Sequence, residues 1–78
     1  MSMRPDDELV TTISRWLARH VGDDELRARI DESPLDQLEP GQRAAVEELR
    51  DELRGGGAGR GGLEMVAREA LEALALGG

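Results

Sequence analysis

The chain has 78 residues, enough for one small domain, and carries a net charge of −7 with one Trp, no Phe, no Tyr and no Cys. Without Cys there is no disulfide framework, thiolate metal site or cysteine nucleophile. All ten basic residues are Arg, so no lysine is present for a Schiff base.

The first helix is expected from about Pro5 to His20 or Val21. Pro5 suits the first helical position, and Asp6, Asp7 and Glu8 face the positive end of the helix dipole. Leu9, Val10, Ile13, Trp16, Leu17 and Val21 recur at three- and four-residue steps and form one apolar stripe. Trp16, the only aromatic residue, reads as a core anchor on that stripe, or as a hot spot at a protein interface. Gly22 is placed to end the helix in a left-handed conformation. His20 suits the negative end of the helix dipole better than a general base, since no Ser–His–Asp arrangement accompanies it.

A second helix is expected from Asp23 or Asp24, either a good N-cap. It carries Leu26 and Ile30 on one face. The stretch Leu17 to Asp24 resembles a helix-turn-helix in the spacing of Ala18 and Gly22. Asp23 stands where that motif wants an apolar residue, Ala28 and Asp31 take the later slots, and carboxylates repel phosphates. It therefore reads as an ordinary helix–Gly–helix corner. If it bound DNA, Arg15, Arg19, Arg27 and Arg29 would make the contacts.

Ser33-Pro34 reads as a cap with a first-turn proline, followed by one short turn, of 3₁₀ type, carrying Leu35 and Leu38. Glu39-Pro40-Gly41 starts a third helix that runs to about Arg54. Its stripe is Ala45, Val46, Leu49 and Leu53, opposite a solvated face of Glu, Asp and Arg with some three- and four-spaced ion pairs.

Residues 55–62 contain six glycines and read as a flexible linker with a reach of about 15 Å. The segment lacks the Gly-Lys-Ser/Thr ending of a phosphate loop. A fourth, amphipathic helix is expected from Leu63 to Leu76, with Leu63, Val66, Ala67, Ala70, Leu71 and Leu74 on its stripe. Gly77-Gly78 reads as a frayed helix cap rather than the diglycine of a β-grasp carrier. Few β-branched residues and no long alternation argue against strands.

The fold expected is all-α: a small three-helix bundle over residues 1–54, a Gly-rich linker over 55–62 and an amphipathic C-terminal helix over 63–78. A helix of this length is marginal alone in water and seeks a surface. The candidates are its own domain, a second copy of the chain or another protein.

A pI near 4.6 argues against nucleic acid and against anionic membranes. No run approaches the roughly 20 apolar residues of a membrane span. The N-terminus has no apolar stretch after its charges, which argues against a secretory signal and for a cytoplasmic protein. The carboxylate clusters lack the ligand spacing of a calcium loop.

These readings converge on a non-enzymatic protein–protein interaction module, an adaptor, assembly or regulatory factor without cofactor or metal. Its partner-binding residues are expected to be Leu63, Val66, Ala70, Leu71, Leu74 and Trp16. The partner is another protein or a second copy, with a homo-oligomer expected because so small a core needs support. The competing reading is a small acidic inhibitor of the antitoxin, immunity or anti-CRISPR type that covers a basic surface. A weak helix-turn-helix DNA binder comes third.

Overall fold

The computed structural model describes residues 4–55 and 59–76. The expectations for Gly77-Gly78 and for the middle of the glycine segment fall outside the described residues. Among those described, the chain forms α1 (Pro5–Leu17), α2 (Asp23–Glu32), a 3₁₀ turn (Leu35–Gln37), α3 (Pro40–Gly55) and α4 (Arg60–Leu76), with no strand. The all-α class follows from the apolar spacing. Each helix turns its stripe inward, and the buried side chains form one core.

Pro5 opens α1 as expected, with Asp6, Asp7 and Glu8 in the first turn. The helix stops at Leu17, short of the expected His20 or Val21. Arg19 takes the left-handed conformation at φ 64°. The Arg19 N–H donates to the Trp16 carbonyl at 3.0 Å and the His20 N–H to the Arg15 carbonyl at 2.8 Å. This is the hydrogen-bond pair of a Schellman ending, with an arginine where glycine is usual. Gly22, expected to fill that role, is instead extended at φ −90° and precedes α2 as its N-cap. Asp23, expected as a cap, is the first helical residue, and its carboxylate is used elsewhere.

Leu26 and Ile30 are the buried residues of the short α2. Ser33 ends that helix rather than capping a new one, and its hydroxyl donates to the Arg29 carbonyl at 2.7 Å. The 3₁₀ turn follows where expected and brings Leu38 into the core, with Leu35 packed at its edge.

In α3, Val46 and Leu49 are fully buried, and Ala45 and Leu53 pack beside them. Gln42 is buried as well, which the apolar pattern did not predict. Its Oε1 accepts from the Glu39 N–H at 3.0 Å, the return half of a capping box. Its Nε2 donates to the Leu74 carbonyl at 3.1 Å. One amide thus satisfies the start of α3 and a carbonyl in the last turn of α4, groups that helix ends leave without intrahelical partners. Gly55 closes α3 at φ 157°, a conformation L side chains rarely adopt.

The last helix begins at Arg60, three residues before the expected Leu63, and takes Gly61 and Gly62 into its first turn. It packs chiefly on α3 and α1. Its buried residues are Ala67, Ala70 and Leu74. Two alanines at the contact allow close approach of the helix backbones.

Candidate functional site

The corner between α1 and α2 is tied to the start of α4 through Trp16. The indole is fully buried, and a buried indole N–H needs an acceptor. Asp23 supplies it: Trp16 Nε1 donates to Asp23 Oδ1 at 2.6 Å. The early end of α1 leaves five residues to turn the chain so that this carboxylate reaches back to the ring.

Arg60 completes the cluster. Its guanidinium carbon lies 4.0 Å from the Trp16 ring centroid. Its Nη2 donates to the Trp16 carbonyl at 2.9 Å, its Nε to Glu64 Oε2 at 3.0 Å, and its Nη1 is 3.8 Å from Asp23 Oδ1. A guanidinium over an aromatic face contributes about 1 kcal/mol, and a charge-assisted hydrogen bond about 1.5 kcal/mol. Glycine in a helix costs about 1 kcal/mol relative to alanine. Gly61 and Gly62 would fray this turn, and the contacts of Arg60 offset them. Sequence reading placed Arg60 in the linker. The four-residue step to Glu64 was the available signal of a helical pair.

The residues expected to bind a partner divide by burial. Trp16 and Ala70 are fully buried and Leu74 is nearly so. Leu63, Val66 and Leu71 are half-buried and pack on the core. The structure brings these side chains together, and what covers them is the chain's own bundle.

The opposite side of α4 carries different residues. Met65 and Leu76 are the exposed large hydrophobic side chains among the described residues, at 65% and 76% exposure. Glu69, Glu72, Ala73 and Leu76 line a shallow depression on this side. Sequence reading passed over Met65 and took Leu76 only as the helix end, because neither falls on the main stripe.

Elsewhere, a cleft of about 270 Å³ opens between α1 and α2, where Glu8, Arg15, Glu25 and Arg29 line it together with Thr11, Thr12 and Val21. Its two arginines and two glutamates balance, so no sign of charge dominates. Arg15, Arg19, Arg27 and Arg29, the contacts a DNA-binding corner would use, are all exposed. Arg27 lies 3.6 Å from Asp24, which takes up part of its charge. His20 is exposed beyond the end of α1. No group of three or more His, Cys, Asp or Glu among the described residues could hold a metal ion. None of the helices described is long and apolar enough to cross a membrane.

Compared with known proteins, the chain matches no protein-family model, no curated protein and no solved structure.

Proposed function

We propose that the chain is a non-enzymatic protein–protein interaction module, an adaptor, assembly or regulatory factor that docks through an apolar helix face. The observation that carries this reading is the two-sidedness of α4. Its inner face, with Ala67, Ala70 and Leu74, closes the core, while Met65 and Leu76 stand exposed on the other side. A single exposed hydrophobic residue needs no explanation. Two large ones on one side of one helix, with the shallow depression beside Leu76, form a surface a partner can cover.

Docking through the inner residues would require α4 to leave the bundle and strip Trp16 of its Arg60 contact. The outer face is usable with α4 in place, and we assign docking to it. A cysteine-free composition suits a reducing, cytoplasmic setting.

The test compares proteins cross-linked or recovered by the intact chain with those recovered by Met65→Asp/Leu76→Asp. Both positions are exposed, so the helical content of the variant is expected to match the parent by circular dichroism. Loss of the parent's specific partners is the expected result. Recovery of the same partners would contradict this assignment.

The acidic-inhibitor reading is favoured by the surplus of seven negative charges and by the exposed first-turn carboxylates Asp7, Glu8, Asp24 and Glu25. It requires complex formation to weaken steeply with salt. Apolar docking requires weak salt dependence and a large negative heat-capacity change.

A further inference from the structure

The outer face of α4 has the spacing of a helix–helix seam. Met65, Glu69, Glu72 and Leu76 follow at steps of four, three and four residues. Glu69, Glu72, Ala73 and Leu76 stand at i, i+3, i+4 and i+7, the four positions that ring a hole for one knob of a facing helix. Ala73, the smallest of the four, leaves that hole open, and these four residues line the depression on the surface. Met65 and Leu76 lie about 16 Å apart along the helix, at 1.5 Å per residue. The seam thus has an apolar residue at each end and two carboxylates at its centre, with Arg68 at its edge.

That arrangement selects its occupant. A second copy laid antiparallel on the seam would match the apolar ends, because Met65 of each copy would face Leu76 of the other. The same register would set Glu69 against Glu72 twice. A parallel pair would set each glutamate beside its own counterpart. Either way like charges meet, in a chain that already carries −7, and like charges facing each other are destabilising. A helix with apolar knobs at the same separation and Arg or Lys between them has no such conflict.

Resting on the interaction-module reading, we infer that this seam binds a basic amphipathic helix of another protein. Glu69 and Glu72 pair with its cationic residues and also keep the chain from associating with itself through Met65 and Leu76.

The test uses the full chain and two synthetic amphipathic helical peptides with one leucine pattern, one bearing Arg and the other Glu at the positions beside it. Binding is read by fluorescence anisotropy at physiological ionic strength, and self-association by sedimentation equilibrium. The Arg peptide is expected to bind and the Glu peptide not. Met65→Asp/Leu76→Asp is expected to abolish binding. Glu69→Gln/Glu72→Gln is expected to weaken it by about three- to ten-fold, as loss of two partly exposed ion pairs does. The parent chain is expected to be monomeric and the double Gln variant to self-associate.

Equal binding of both peptides, abolished by Met65→Asp/Leu76→Asp, would overturn the charge assignment while leaving the docking face standing. Arg-peptide binding that survives Met65→Asp/Leu76→Asp would be unspecific attraction and would overturn the seam. Binding of neither peptide, or a parent chain that dimerises through this face, would overturn the inference. Loss of the chain's natural partners in Met65→Asp/Leu76→Asp, together with any of these results, would show that the broader reading survives.

Discussion

Arg19 holds a position that most side chains avoid. Its left-handed φ of 64° closes the end of α1, and a non-glycine residue there crowds its Cβ against the backbone. Replacing it with glycine should relieve that crowding. Arg19 is exposed and makes no ion pair within 4.0 Å among the described residues, so little is lost with the side chain. Arg19→Gly is expected to stabilise the chain by about 1 kcal/mol, raising the melting temperature by roughly 4–8 °C for a domain of this size. An unchanged or lower melting temperature in a calorimetric scan would contradict this account of the corner. Gly22 looked like the natural helix stop because local propensity favours it. What overrides propensity is the need of the Trp16 N–H for an acceptor, met by a carboxylate seven residues on. Gln42 hid for a similar reason. Its partners, Glu39 and Leu74, include one 32 residues away, and apolar periodicity says nothing about a buried amide.

Helix by helix, legibility followed the strength of the pattern. Helices α1 and α3 were plain from their stripes and the prolines at their starts, and the short turn before α3 from Ser33-Pro34 followed by Leu35 and Leu38. The start of α4 was not, because Gly61 and Gly62 resist helix locally and the contacts of Arg60 to Trp16, Asp23 and Glu64 hold them in one. The apolar face of α4 was legible, but its destination was not. Periodicity marks which side is greasy without naming the surface that covers it. Here Ala67 and Ala70 settle the matter. They are fully buried, and their small size fits a close helix–helix approach. Ala70→Leu should therefore overpack the contact, costing about 1–3 kcal/mol. A lower midpoint of chemical denaturation is the expected reading. No change would mean that α4 rides loosely and does not depend on close packing.

Across the whole chain, the core draws on every helix, and α4 contributes the lid over α1 and α3. A domain this small has little stability to spare, and without cysteine it has no covalent staple. The fourth helix therefore serves first as structure, and only its outward side is free for a partner. This division is the claim on which the functional reading rests, and native-state amide hydrogen exchange on the full, unbound chain tests it most directly. The account predicts that amides from Ala67 to Leu74 are protected to the same degree as those of Ile13 to Trp16 and Val46 to Leu49, because they open only with the core. Near-unprotected exchange through Ala67 to Leu74, with α1 and α3 still protected, would contradict it and return the inner face of α4 to the role of a free docking surface.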